Sequence, residues 1–142
     1  MSFFNTKLSF AVSFALFAIT SPHTAIAQSD DMNCSDPQTQ IEMNICSGME
    51  LEAADVELNA IWPLARKTND AYAEYLPEER KSDVKSLLKA QRAWITFRDA
   101  HCTSVALPNT GGSIYALIYN NCREDLTRQR TKQLRELVEG SG

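Results

Sequence analysis

The sequence predicts a small all-α domain: an up-down bundle of three long helices plus a short N-terminal helix, stapled by disulfides. Apolar residues recur at steps of three and four through most of the chain, and no segment alternates between polar and apolar residues as a strand does. Four cysteines follow a leader typical of exported proteins, where disulfides form. Together these observations indicate a disulfide-stapled helical bundle.

The first 27 residues have the pattern of a cleaved secretory signal peptide. Lys7 precedes an apolar run at 8–19, and Ala25-Ile26-Ala27 presents small residues where a signal peptidase cuts. The run is shorter than the roughly 20 residues that cross a membrane, and no later segment is long enough either. We therefore expect a single domain at 28–142, without a membrane span, in the periplasm or secreted.

The first two helices are predicted from capping residues and apolar spacing. Asp36-Pro37 is an N-cap and first-turn pair that opens a short helix, and Gly48 can end it. A second, longer helix follows, with a kink expected at Pro63. Its inward residues step by four and three: Leu51, Asp55, Leu58, Trp62 and Ala65.

Two further helices complete the predicted bundle. Pro77 suits the first turn of a third helix over 77–106. The breaker cluster at 108–113 then separates it from a fourth helix, which Ser113 can cap and Gly140 can close. The inward residues predicted for the third helix are Val84, Leu88, Gln91, Ile95, Arg98, Cys102 and Val105. Trp94 and Phe97, at the edges of that seam, are expected in the core.

Two of the inward positions, Gln91 and Arg98, are polar and need partners on neighbouring helices. A buried polar group without a hydrogen bond costs about 1 to 3 kcal/mol, and an unpaired charge costs more. If the second and third helices are antiparallel neighbours, we expect Arg98 to pair with Asp55. On the same basis Gln91 should meet Asn59 or a polar backbone group.

The cysteines, Cys34, Cys46, Cys102 and Cys122, are expected to form two bridges. Three connectivities are possible, and the sequence alone does not choose among them. No close Cys-x-x-Cys pair is present, which disfavours zinc. Pairing of nearest neighbours is our prediction: Cys102–Cys122 would staple the hairpin of the third and fourth helices. Cys34–Cys46 would require a reversal near 36–37, because twelve helical residues span about 18 Å.

Charge is divided unevenly along the expected mature chain. Residues 28–79 carry twelve acidic side chains against two basic ones, and residues 80–142 carry eleven basic against six acidic. Acidic and basic helices lying against each other would explain this division, and a surface for a charged partner is the alternative. An exported acidic protein without an aromatic-studded basic stripe does not suit nucleic-acid binding.

One set of motifs runs through most of the expected mature chain: Cys34, Cys46, Asp55-x-x-Leu58-Asn59, Gln91-Arg92-x-Trp94-Ile95-x-Phe97-Arg98-Asp99-x-x-Cys102, Gly111-Gly112-Ser113, Cys122 and Arg130. Together these motifs resemble the LprI-like family, named for the N-terminal domain of the lysozyme inhibitor LprI. The resemblance runs from Cys34 to about Val138 and implies a secreted or periplasmic bacterial helical domain and, for the namesake, inhibition of lysozyme.

Catalysis is not expected from these residues. His101 is the only histidine of the expected mature chain and lies beside Cys102, which oxidation would remove as a nucleophile. Ion pairing with arginine accounts for Asp55 and Asp99 without acid–base chemistry. Gly111-Gly112 is better explained as a linker than as a phosphate loop, since no lysine-serine pair follows. We expect no cofactor and no metal.

Three functional classes follow. The first is a protein-binding inhibitor of a lysozyme, possible if the acidic half, with Glu50, Glu52 and Glu57, or the loop at 108–112 meets a cationic enzyme. The second is an envelope interaction or stress module with another protein partner and no effect on lysozyme. The third, least favoured, is a hydrolase of envelope polymers.

Overall fold

A computed structural model describes residues 32–140, and all regular structure in that range is helical, as the sequence predicts. The expected signal peptide at 1–27 lies outside the described residues. Among the helices that are described, none combines the length and the apolar character needed to cross a membrane. The long helices are α1 (Gln40–Ala71), α2 (Lys85–Ala106) and α3 (Tyr115–Glu139), and short 3-10 turns occupy Tyr72–Tyr75, Glu78–Val84 and Leu107–Asn109.

The first helix contradicts the prediction of two separate helices. Thr39, and not Asp36, is its N-cap: the Thr39 hydroxyl accepts from the Glu42 N–H at 3.2 Å, and Glu42 accepts from the Thr39 N–H at 2.9 Å. From this capping box the helix runs for 32 residues, through Gly48 and Pro63. A glycine inside a helix costs only about 1 kcal/mol, which packing against a neighbouring helix readily offsets.

The predicted boundaries of the later helices also need correction. Residues 78–84 wind as a 3-10 turn without a buried residue, so the third predicted helix is an α-helix only from Lys85. α3 begins at Tyr115 without a side-chain cap, because its N-cap residue is Ile114 and not Ser113. The Ser113 carbonyl instead accepts a hydrogen bond from Asn44 Nδ2 at 2.9 Å. Gly140 ends α3 as predicted.

The order of contacts along the helices defines their directions. Going up α1, Asn44 contacts Ser113, Ser47 contacts Asn120 and Glu57 contacts Arg135, so α1 and α3 run in the same direction. α2 runs the opposite way. α3 packs against both other helices, whereas direct contact between α1 and α2 is sparse.

The core is small and lies where the three helices meet. Leu58 and Ala65 of α1 are buried against Leu134 of α3, with Ile61, Trp62, Leu87, Trp94, Leu137 and Val138 packed around them. In α2, Gln91, Arg98 and Cys102 are buried as predicted. Ile95 and Val105 were expected inside and are 42% and 43% exposed. The inward face of α2 is therefore rotated toward Trp94, whereas Phe97, also expected in the core, is exposed.

Both disulfides have the predicted pairing. Cys34–Cys46 joins α-carbons 5.4 Å apart, and Cys102–Cys122 joins α-carbons 5.5 Å apart. The first closes because Cys34 precedes the helix and lies in a turn, where the Asp36 N–H reaches the Asn33 carbonyl at 3.4 Å. Both bridges lie toward the same end of the domain, where α1 and α3 begin and α2 ends.

Candidate functional site

Arg98 is the centre of a polar cluster between the three helices. Its side chain is 8% exposed, and Nη1 donates to Asp55 Oδ1 at 2.9 Å and to Thr127 Oγ1 at 3.0 Å. Nε donates to Asp99 Oδ1 at 3.0 Å, and the guanidinium lies 5.1 Å from the centre of the Trp94 ring. The pair with Asp55 is the one expected from the sequence, and α3 adds Thr127 to it.

Gln91 has a different partner from the one expected. Its Oε1 accepts from Arg130 Nε at 2.8 Å, whereas Asn59 is exposed on α1. The reason is that Asn59 lies on the exposed side of α1, whereas Arg130 of α3 reaches Gln91. Burial lowers the pKa of Arg130, and its Nη2 has no hydrogen-bond partner among residues 32–140.

A second arginine, Arg123, extends the polar cluster at the surface. Its Nε lies 3.3 Å from Asp99 Oδ1, an ion pair without hydrogen-bond geometry. Its guanidinium also lies 5.4 Å from the centre of the Tyr119 ring. Asp99 is thus shared between two arginines, which leaves it suited to fixing the helices in register and not to proton transfer.

The acidic half and the basic half of the chain lie against each other. This is the first of the two explanations given above for the uneven division of charge. Arg128 of α3 contacts Glu50 at 3.1 Å and Glu57 at 3.3 Å, and Arg135 contacts Glu57 at 3.1 Å. A hydrogen bond to Glu124 raises the pKa of Arg128. Glu50 and Glu57 are therefore partly neutralised within the domain, which weakens the expectation that they attract a cationic partner.

The connection between α2 and α3, called here the α2–α3 loop (residues 107–114), is exposed along nearly its whole length. Leu107 is 62% exposed and Ile114 is 39% exposed. Gly111 adopts a positive φ of 81°, which favours glycine, and the Gly112 N–H closes a turn on the Asn109 carbonyl at 3.0 Å. The loop therefore presents apolar side chains on a closed, hydrogen-bonded turn.

The α2–α3 loop is anchored on both sides. The Cys102–Cys122 bridge joins the two helices that carry it, and the Asn44 side chain of α1 holds the Ser113 carbonyl at 2.9 Å. The Thr110 hydroxyl also donates to the Leu107 carbonyl at 2.8 Å. These links restrict the loop before any partner binds, and a restricted loop loses less entropy on binding.

The residues considered for catalysis are placed in structural roles. His101 is exposed and stacks on Phe97 with ring centres 5.3 Å apart, and Cys102 is in a disulfide. Asp55 and Asp99 both accept from Arg98. Within residues 32–140, no group of three or more histidine, cysteine or acidic side chains is arranged to hold a metal ion.

Sequence reasoning missed two features of this surface. The exposure of the apolar ends of the loop, Leu107 and Ile114, was not predicted, although each flanks the breaker cluster directly. Arg128 and Arg135 were not identified as the partners of Glu50 and Glu57, because the parallel course of α1 and α3 cannot be read from either helix alone.

Comparison with known proteins identifies a family and a similar protein. The family model described as lysozyme inhibitor LprI matches residues 32–134. An uncharacterized protein of Rhizobium meliloti (strain 1021) is 34% identical over 129 residues, which cover 89% of this chain and 91% of the relative. No solved structure matches.

Proposed function

The chain belongs to the family described as lysozyme inhibitor LprI, and on that premise we propose that the exported protein binds a lysozyme and inhibits it with the α2–α3 loop. The single observation that carries the choice of this surface is the anchored, exposed turn between Leu107 and Ile114. A protruding turn of this kind can enter an enzyme cleft, where it would exclude substrate without any chemistry of its own.

The contact is expected to depend on the apolar ends of the loop. Leu107 and Ile114 expose much of their surface, and burial of apolar surface is the main favourable term in most protein–protein association. A few anchors that fill pockets usually carry most of the binding energy, whereas the surrounding contacts exclude water. Leu107, as the more exposed of the two, is the better candidate anchor.

Charge is expected to affect the rate of binding more than its strength. The chain has a formal net charge of −4, so a cationic lysozyme would be attracted over distances comparable with the Debye length. Glu50 and Glu57 are engaged by Arg128 and Arg135, so the attraction depends on the overall charge and on exposed acids such as Glu52. Added salt should therefore slow association.

The proposed location is the periplasm or the exterior of the cell. The leader at 1–27 and the two disulfides both support export, since such bridges persist in oxidising compartments. A lysozyme that attacks an envelope acts in the same space, so inhibitor and enzyme would meet there.

The test is a cell-wall lysis assay with several types of lysozyme and the oxidised protein from residue 28 onward. Leu107→Ala should weaken inhibition about tenfold or more if Leu107 is an anchor. Tyr75→Ala is the matched control, because Tyr75 is 82% exposed but lies at the opposite end of the domain. Both variants change surface side chains, so circular dichroism should show an unchanged fold.

The other functional classes predict different results. If no lysozyme is slowed and none binds, the inhibitor proposal fails, and a pull-down from envelope extract would test for another protein partner. If the protein alone releases fragments from peptidoglycan, the hydrolase class replaces both. Equal inhibition by Leu107→Ala and the unchanged protein would support the inhibitor function but would reject the α2–α3 loop as the contact surface.

A further inference from the structure

The outer face of α1 carries an exposed row of apolar side chains. Ile41 is 71% exposed, Val56 63% and Leu64 52%. The row is called here the α1 stripe, and it consists of Ile41, Ile45, Met49, Ala53, Val56, Ala60 and Leu64. Each of these seven residues follows the previous one by three or four positions, so together they form a band along one side of the helix.

The α1 stripe lies opposite the face of α1 that packs into the domain. The buried side of the helix carries Leu51, Ala54, Leu58 and Ala65, which at about 100° per residue point away from the stripe. Helix faces exposed to solvent are normally polar, whereas this one is apolar over roughly 35 Å of helix. Among the described residues outside α1, Cys34 lies against the stripe, with its Sγ 4.0 Å from Met49 Sδ, while Ile41, Val56 and Leu64 stay more than half exposed.

The area of the stripe is large enough to support an interface. Its seven side chains expose on the order of 600 Å² per chain, which is near the upper limit for the largest apolar patch on a typical monomer. Two such faces together would remove about 1,200 Å² from water, which reaches the lower end of specific protein–protein interfaces.

We propose that the α1 stripe binds the same stripe of a second copy of this chain, with the two helices antiparallel about a two-fold axis. The stripe is complementary to itself in that orientation. When Ala53 of one copy lies opposite Val56 of the other, Met49 faces Ala60. Near its middle the pairing matches a large side chain with a small one, as close helix packing requires.

Charge supports the same register. Lys67, exposed beyond one end of the stripe, then faces Glu42, which follows Ile41 at the other end, and the two-fold axis makes this pair twice. Glu42 uses Oε2 for its bonds to the Gln38 and Thr39 N–H groups, so Oε1 can accept from the lysine. Glu52, on one edge of the stripe, lies near Asn59 of the other copy, which avoids a contact between like charges.

The proposed dimer is compatible with the loop surface described above. An antiparallel pair places the two α2–α3 loops at opposite ends of the assembly, because each loop lies where its own α1 begins. Both loops therefore remain accessible, and dimer formation does not depend on lysozyme binding.

Sedimentation equilibrium of the oxidised protein from residue 28 onward tests the proposal. The mass should rise from one chain toward two as the concentration goes from about 1 to about 500 µM. Val56→Glu should stay at the mass of one chain throughout, because two charges would be buried at the centre of the interface. Ile95→Glu is the matched control: Ile95 is exposed on α2, outside the stripe, and its variant should associate as the unchanged protein does.

A third variant tests the register. Lys67→Glu should reduce the fraction of dimer, and added salt should narrow the difference from the unchanged protein. Circular dichroism checks that each variant is folded. A single-chain mass for the unchanged protein at every concentration would overturn the proposal, as would normal association of Val56→Glu. If the unchanged protein has the mass of one chain and Val56→Glu abolishes lysozyme binding, the stripe belongs to the enzyme contact and the dimer is rejected.

Discussion

Replacing Arg98 by alanine should destabilise the domain more than any surface substitution. The Arg98 side chain is 8% exposed and donates to Asp55, Asp99 and Thr127, so one change removes three hydrogen bonds and the packing of a buried stem. Hydrogen bonds that involve a charged group contribute about 1.5 to 3 kcal/mol each, although such contributions do not add. Because Asp55 is in α1 and Thr127 is in α3, the substitution removes hydrogen bonds that link all three helices.

The expected magnitude depends on what remains after the change. Removing one member of a buried ion pair usually costs about 3 to 5 kcal/mol, because the other charge stays buried without a partner. Here the Asp55 and Asp99 side chains are 37% and 44% exposed, so water can solvate them once the arginine is gone. We therefore expect about 3 kcal/mol for Arg98→Ala, at the low end of that range.

Asp55→Ala should cost less, about 1 to 2 kcal/mol, because Arg98 keeps its bonds to Asp99 and Thr127. The coupling between the two positions should then be about 1 to 2 kcal/mol. Urea unfolding of the oxidised protein, followed by circular dichroism, gives the free energy of unfolding for the four members of the double-mutant cycle.

Arg98→Met is the matched control for the packing of the side chain. It keeps the unbranched stem and removes the charge, so the difference between the methionine and alanine variants reports packing alone. A coupling energy below about 0.5 kcal/mol between Arg98 and Asp55 would mean that their effects are independent. That result would refute the ion pair as a link between α1 and α2.

Two further predictions concern α1. Gly48→Ala should raise the free energy of unfolding by about 0.5 to 1 kcal/mol, because a helix-interior glycine loses more backbone entropy than alanine and the nearest atom to the added Cβ is a side chain of α3 at 3.8 Å. A lower urea midpoint would show that the helices are closer than this. Backbone hydrogen bonds, chiefly from the Thr39 N–H, hold the pKa of Glu42 below its usual 4.5. The stability from this capping box is therefore present above pH 4.5 and should be lost as the pH falls through the lower, folded-state pKa, and Glu42→Gln should remove that part of the pH dependence.

The helical class of the fold could be predicted because the apolar spacing of three and four is strong along all three long helices. The continuity of α1 through Gly48 could not be predicted, because a glycine inside a helix costs only about 1 kcal/mol and does not by itself decide whether the helix ends. Contacts of α3 with Ser47, before Gly48, and with Glu50, after it, decide the outcome. The 3-10 winding of 78–84 was missed for the opposite reason: no buried residue fixes its period.

Pairs of buried polar side chains could be predicted only between helices whose relative direction followed from their order in the chain. Asp55 and Arg98 lie on inward faces of antiparallel helices, and the spacing along each helix places them at the same level. Gln91 was assigned to the wrong helix because the sequence does not show which of the two neighbouring helices its side chain meets. Arg130 already belonged to the motif that resembles the family, yet nothing in that motif identifies its partner as Gln91.

The two ends of the domain differ in a way that favours recognition at one of them. The end with the α2–α3 loop holds both disulfides and the bond from Asn44 to Ser113, so its backbone is restrained from three sides. The turns at 72–84 contain no buried residue and no disulfide. Segments with few buried contacts open at lower free energy, so a partner that bound there would have to order them first. The restrained end avoids that cost, and for this reason the loop, and not the more exposed aromatic Tyr75, is the better site for an inhibitor to present to an enzyme.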